Sequence, residues 1–417
     1  MACPLAAVTS PGVSLPTKPV DQQHEIVRPD ISWIPSYKVY KERVETLKAL
    51  YPDRPTTLPE GWPAQVDSAR AWSGEDFKNE EYVIQLSAED VVEIEAGLAH
   101  FKALPGELTP DDVIQSNFPL PNLSNRLIEA SKTIHDGRGF VVLRGLNPDK
   151  YSNYDNILLY LGVTSYIAET RGMQDFDGRM ILHIQAVLED VKKHGSMPNS
   201  PYVARAQPFH TDLCDVLSLY ALGVAAYGGE SFLASTARIY NEIARTRPDI
   251  IHVLARDDWI FDEFWNGEYH TRPLLYDFKG RGPAFQFSRR PLTGSHFSPH
   301  HPDVPAMTEI QAEALDTVYF LAKQHALEIQ LQKGDMLLFN NFAMFHARAG
   351  FADEGDKRRH MLRLWLRNEE RMWKTPRELE RVSWECYGDH EWRKNRVWDI
   401  ERSPPELRVK HRRASCA

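Results

Sequence analysis

Disulfide-forming capacity is almost absent, for only four cysteines, Cys3, Cys214, Cys386 and Cys416, are spread over 417 residues. They lie too far apart for metal-knuckle spacing and too thinly for a disulfide scaffold, which points to a reducing cytoplasm. No run approaches the roughly 20 apolar residues of a membrane-spanning helix. No basic leader precedes the short apolar stretch within residues 1–19, so the chain reads as soluble, unexported and cytoplasmic. Positive charge is not in surplus either. Lys plus Arg number 49 against 58 Asp plus Glu, a net charge of −9, and the arginine-rich pieces are short. A continuous cationic surface for nucleic acid is therefore not expected. Internal repeats are also missing, which excludes solenoids and propellers.

What remains is an ordinary globular composition, 42% hydrophobic and 26% charged, with 28 prolines that argue for many ordered loops. The length exceeds a usual single core but suits one elaborated catalytic domain with appendages. Residues 1–30, rich in Pro, Val, Ser and Thr, read as a flexible arm. Residues 31–135 read as a mostly helical extension packed on the core. Apolar residues recur at helical spacing over Ser36–Tyr51, Ser87–Leu104 and Leu123–His135, and Ser87 with Asp90 forms an N-cap pattern.

Residues 136–370 alternate strand-like runs with turns: Gly139–Gly145, Met180–Ile184, Leu217–Ala226, Ala284–Ser288, Met336–Phe339 and Met361–Leu366. Such spacing predicts a mixed α and β chain with a mainly β core, an antiparallel sandwich or barrel. Helical insertions are expected over Ala237–Ala255 and Thr308–Gln330. Residues 371–417, charged and Trp-rich, read as a surface extension with a solvated basic tip at 410–417.

The chemistry concentrates in Gln207-Pro-Phe-His-Thr-Asp-Leu-Cys-Asp215. On an extended strand His210 and Asp212 point the same way and Thr211 points away. A third ligand from a distant strand, His346 in Gly334–Arg348, would complete two histidines and one carboxylate, the set that leaves adjacent positions open on Fe(II). His-x-Asp alone is weak, because 16 histidines give roughly one chance match in a chain this long. A second match, His301-Pro-Asp303, sits in a proline-rich loop that cannot present both side chains rigidly. A lone His346 is more often structural. The following strand adds weight by placing Arg359, Met361, Arg363 and Trp365 on one face and His360, Leu362, Leu364 and Leu366 on the other. A planar guanidinium there suits a dicarboxylate reaching away from the metal, although Lys357-Arg-Arg-His360 also fits a plain basic turn. The coincidence of His210, Asp212, His346 and Arg359 outweighs these bland readings.

These residues resemble the TauD/TfdA family of Fe(II)/2-oxoglutarate-dependent dioxygenases. The likeness runs from about Gly139 to Leu366. It rests on Phe209-His-Thr-Asp212, Gly228-Gly-Glu-Ser231, Gly334-Asp335 with Asn340-Asn341, His346-Ala-Arg348 and Arg359-His-Met-Leu-Arg363. It implies a double-stranded β-helix, or jelly roll, with helical insertions between the metal-ligand strands, and iron on His210, Asp212 and His346. It further implies 2-oxoglutarate and O2 as cosubstrates. Ser231 and Arg359 would grip the distal carboxylate, and Arg363 would lie near the chelating end or an anionic substrate group. The implied reaction oxidises a C–H bond of a small carboxylate- or amino-acid-like molecule by hydroxylation, desaturation or ring closure. Arg289, Arg290 and His183 are candidate substrate contacts, with solvated arginines and a packed core histidine as the bland alternatives, and inert burial is expected for Cys214. A zinc hydrolase using the same ligands and a noncatalytic binding protein are the rival readings. A homo-oligomer is left open.

Overall fold

The computed structural model describes residues 31–78, 80–175, 177–186, 202–262, 267–295, 299–389 and 391–401. The expected arm at 1–30 and the basic tip at 410–417 lie outside the described residues.

Three helices open the chain: α1 (Tyr37–Leu50), α2 (Ala88–Ala103) and α3 (Ser124–His135). Helix α2 starts as its sequence dictates, for Ser87 Oγ accepts from Asp90 N at 3.1 Å while Asp90 Oδ2 accepts from Ser87 N at 2.7 Å. Helix α4 (Asn153–Ser165) escaped the sequence reading. Residues 156–165 are all buried, so α4 lacks the polar face that a helical period needs to be seen.

Strands then build two sheets. The larger has seven strands: β1 (Val83–Gln85), β2 (Phe140–Arg144), β3 (Thr170–Gly172), β4 (Leu182–Gln185), β6 (Val216–Gly223), β14 (Met336–Asn340) and β17 (His360–Arg367). Its order is β1-β2-β14-β6-β17-β3, with β4 also on β17. The smaller holds β5 (Gln207–His210), β8 (Ser231–Ser235), β13 (Leu327–Ile329) and β15 (Met344–Arg348), in the order β13-β8-β15-β5. Short pairs flank them: β7 (Tyr227–Gly228) with β16 (Phe351–Ala352), β9 (Trp259–Asp262) with β10 (Tyr269–Arg272), and β11 (Leu275–Phe278) with β12 (Gly282–Phe285).

Side-chain alternation assigns each face of the larger sheet to a different layer. Val141, Leu143, Leu338, Leu362, Leu364 and Leu366 pack on α2, α3 and α4. Phe140, Val142, Leu217, Leu337, Phe339 and Trp365 turn the other way, onto Leu233, Ile329 and Met344 of the smaller sheet. That sheet's outer face, through Phe209, Ala234 and Phe345, packs on helices α5 (Thr236–Thr246), α6 (Pro248–Leu254) and α8 (Glu309–His325). A one-turn helix, α7 (Arg290–Thr293), precedes α8, and α9 (Glu380–Tyr387) follows the last strand.

The two helical insertions differ from expectation in bounds. Residues 237–255 form two helices because Arg247 leaves helical geometry at φ −144° and Pro248 opens the second, where its missing N–H costs nothing. The second insertion stops at His325. Ala326 is extended, and Leu327 and Ile329 pair with β8, their alternating apolar side chains belonging to the layer between the sheets.

Candidate metal and anion site

The inter-sheet layer holds the chemistry. His210 ends β5 and His346 lies opposite it in β15, so one pair of the antiparallel ladder brings the two imidazoles to a ring separation of 4.0 Å. Asp212 follows β5 beyond the ladder. Amide side chains replace the missing strand partner: Asn341 Oδ1 accepts from Asp212 N at 2.7 Å, and the Asp212 carbonyl accepts from Asn341 Nδ2 at 2.7 Å and Gln286 Nε2 at 2.6 Å. Thr211 turns away, as expected of an extended segment, and its hydroxyl accepts from Phe287 N at 2.8 Å.

Ligand atoms of His210, Asp212 and His346 fall within 4.8 Å of one another, with His210 Nε2 and Asp212 Oδ1 3.8 Å apart. Burial holds the imidazole pKa of His210 below its ordinary value. That of His346 is pushed well below, by burial first and then by His210. Neutral imidazoles are what a metal ion binds. His210 Nδ1 lies 2.9 Å from the Pro208 carbonyl, which makes Nδ1 the protonated nitrogen and leaves Nε2 as the ligand atom.

The two oxygens of Asp212 have separate duties. Oδ2 accepts from Arg363 Nη1 at 2.9 Å and from Trp365 Nε1 at 3.0 Å. Oδ1 is buried with no hydrogen-bond partner. An uncompensated carboxylate oxygen beside two neutral imidazoles fits a cation. Arg363 is itself oriented by Gln174, whose Oε1 accepts from Arg363 Nε at 2.8 Å and whose Nε2 donates to the Arg363 carbonyl at 2.8 Å.

The same cavity is lined by both histidines, Ser231, Arg348, Arg359 and Arg363. Arg359 is buried, its Nε and Nη1 have no partner, and burial lowers its pKa to about 10. Nη2 of Arg363 is likewise buried and unpaired. The paired glycines before Ser231 have φ of +69° and +82°, and a Cβ on Gly229 would meet Arg359 Cδ at 3.3 Å. The turn that shapes this loop thus also admits the arginine.

Three candidate substrate residues lie elsewhere. The fully buried Arg289 guanidinium sits 2.7 Å from Asp316 and donates to the carbonyls of Trp33 at 3.0 Å and Ser32 at 2.8 Å, so its capacity goes into the outer helical layer. Arg290 opens α7 and does not line the cavity. His183 pairs with Leu362 across the ladder and His360 shares the Leu362 face of its strand, so both point away from Ile184 and Arg363. Their rings meet across the outer face, with 2.9 Å between His183 Nδ1 and His360 Nε2. A strand cannot turn His183 and Ile184 to the same side, and it is Ile184 that lines the cavity. Cys214 is fully buried with its thiol pKa pushed well up by burial, and His301-Pro-Asp303 lies in a loop with an exposed Asp303. Residues the sequence reading left without a role are Gln174, Asn341, Trp365 and Arg348. Strand alternation puts Trp365 on the Asp212 side, and Asn341 and Arg348 fall within the motifs that carry the family likeness, but nothing in the sequence around Gln174 marks it.

Solved structures share this architecture. An asparagine oxygenase complexed with Fe(II), hydroxyasparagine and succinate superposes with a TM-score of 0.52 over 69% of this chain and 93% of its own, at 15% identity. The non-haem iron oxygenase OrfP with Fe and alpha-ketoglutaric acid gives 0.51 over 69% and 94%, at 17% identity. The class is that of non-haem iron dioxygenases that consume 2-oxoglutarate and O2. More narrowly, the chain belongs to the taurine catabolism dioxygenase TauD, TfdA family, whose model matches residues 101–365. Among relatives, the taurine hydroxylase-like protein SAT17 of Stachybotrys chartarum is 36% identical over 76% of this chain and 83% of its own length. FR-33289 synthase of Streptomyces rubellomurinus is 25% identical over 66% and 83%. Membership of this family sets aside the zinc hydrolase and the noncatalytic binding protein.

Proposed function

We propose that this enzyme oxidises a C–H bond of a small, anion-bearing substrate of amino-acid or carboxylic-acid type, while 2-oxoglutarate is converted to succinate and CO2. Iron(II), when bound, supplies the redox centre at which O2 is consumed. His210 through Nε2, Asp212 through Oδ1, and His346 would hold it. Arg363 and Trp365 occupy Oδ2, which leaves Oδ1 as the oxygen that Asp212 offers a cation. Arg359 and Ser231 receive the distal carboxylate of 2-oxoglutarate. Arg363 directs its unpaired Nη2 toward the chelating end or a substrate anion. The two packed sheets are read as the double-stranded β-helix on which this arrangement is built.

The carrying observation is the buried, partnerless Asp212 Oδ1 between two imidazoles, in one cavity with the unpaired N–H groups of Arg359. The substrate class draws on what similar proteins are named for. OrfP is complexed with hydroxyarginine, and a uridine-5'-phosphate dioxygenase of a Streptomyces species is 28% identical over 41% of this chain. These ligands, like taurine and hydroxyasparagine, carry an anionic group. Anaerobic titration of the protein with Fe(II) and then 2-oxoglutarate should produce a visible charge-transfer band. Small amino and carboxylic acids are then screened for those that perturb the band and accelerate succinate formation. Succinate formation that survives unchanged in His210→Ala would refute the assignment.

A further inference from the structure

We propose that Arg348 is a second cation for the distal carboxylate of 2-oxoglutarate, acting beside Arg359, and that it makes the site selective for dianionic 2-oxo acids. The inference rests on the cosubstrate reading above and names a residue that reading does not use.

Arg348 ends β15 in register with Ser231 of β8, so both side chains enter the layer between the sheets at one level. Its guanidinium and that of Arg359 lie 4.7 Å and 5.5 Å from the centroid of the same Phe351 ring, at one end of the cavity. Both are buried, and Nε of Arg348 and Nε and Nη1 of Arg359 have no hydrogen-bond partner. Among the described residues neither guanidinium forms an ion pair. Asp353, the acid near Arg359, receives the Arg359 backbone N–H at 2.9 Å instead. Burial and the neighbouring Arg359 push the Arg348 pKa well down, as expected of like charges enclosed together without a counter-ion.

Two buried guanidiniums lining one cavity with Ser231 form a place for an anion with two faces to hydrogen-bond, which a carboxylate has. Backbone fixes the orientation of Arg348: its Nη2 donates to the Val203 carbonyl at 2.7 Å and to the Arg205 carbonyl. No acid must be displaced when the ligand arrives. Those carbonyls precede β5, the strand that delivers His210, so a purely architectural role for Arg348 is the reading to be tested against.

Arg348→Gln is compared with the wild type by anaerobic titration of the Fe(II) protein, following the charge-transfer band with 2-oxoglutarate and with 2-oxobutyrate, which lacks the distal carboxylate. The variant should fold, bind Fe(II), and weaken for 2-oxoglutarate by roughly 10- to 100-fold, the worth of one charged hydrogen bond, with 2-oxobutyrate unaffected. Equal weakening for both acids, or no change for either, overturns the proposal. Should Arg348→Gln fail to fold, Arg359→Gln decides. It should keep a residual preference for 2-oxoglutarate over 2-oxobutyrate, and loss of all preference overturns the role of Arg348. A wild type that gives no band with 2-oxoglutarate refutes the cosubstrate site itself, which is a different failure.

Discussion

Asp212 shows how much depends on one side chain having two distinguishable oxygens. Trp365→Phe removes one of the two donors on Oδ2 while keeping an aromatic ring in the inter-sheet core. Fe(II) affinity, measured anaerobically by calorimetry, should fall about 10-fold or more, the usual effect of losing a group that orients a ligand. His210→Ala should abolish iron binding in the same assay. Arg359→Ala should leave iron binding intact and raise the 2-oxoglutarate requirement by roughly 10- to 100-fold, as the loss of a charged hydrogen bond predicts. At this scale the sequence was legible where chemistry and strand alternation agreed: His210, Asp212 and His346 meet, and Ser231, Arg359 and Arg363 line their cavity. It was not legible for Arg289 or His183. A buried arginine paired to Asp316, or a histidine on the far face of β4, carries the same letters as a substrate contact, and only the partner's position tells them apart.

Strand β17 is the element that joins site to core. Its even positions, Leu362, Leu364 and Leu366, pack under the helices, while Arg363 and Trp365 reach Asp212. Leu364→Ala should therefore cost about 2–5 kcal/mol of stability, read by denaturant unfolding, without altering the ligand set. Gly334 controls the turn into β14. Its φ is +94° and a Cβ there would run into the Leu146 carbonyl, so Gly334→Ala should lower Tm by ~5 °C or more. Elements with a cap or a run of strong helix formers were readable in advance, as α2 shows through Ser87 and α8 through its Ala, Leu, Glu and Gln. Helix α4, buried on all sides, offered no period, and the passage from α8 to β13 at Ala326 was masked by residues equally suited to either state. Strand β8, wedged between a glycine turn and a helix, carries small polar residues at both ends, Ser231 and Ser235, that read as turn or cap rather than strand.

For the molecule as a whole, acid should be destabilising. His135 and His325 are held below their ordinary pKa of 6.5 chiefly by burial, so they stay neutral in the fold while the unfolded chain takes up protons near 6.5. The sign follows: stability is greatest above 6.5 and falls as pH drops through the window below it. Tm of the metal-free protein against pH checks this, and His135→Gln should flatten the decline by its share. The layered order of helices, large sheet, small sheet and helices also sets where the polypeptide can be shortened. Arg289, sealed in the outer layer and paired with Asp316, also donates to the carbonyls of Ser32 and Trp33, so those two residues act as a stopper over a buried ion pair. A recombinant version beginning at residue 31 keeps that stopper. One beginning at residue 35 removes both carbonyls and leaves Asp316 as the partner of a buried guanidinium whose other N–H groups are then unmet, and its expression yield should drop accordingly.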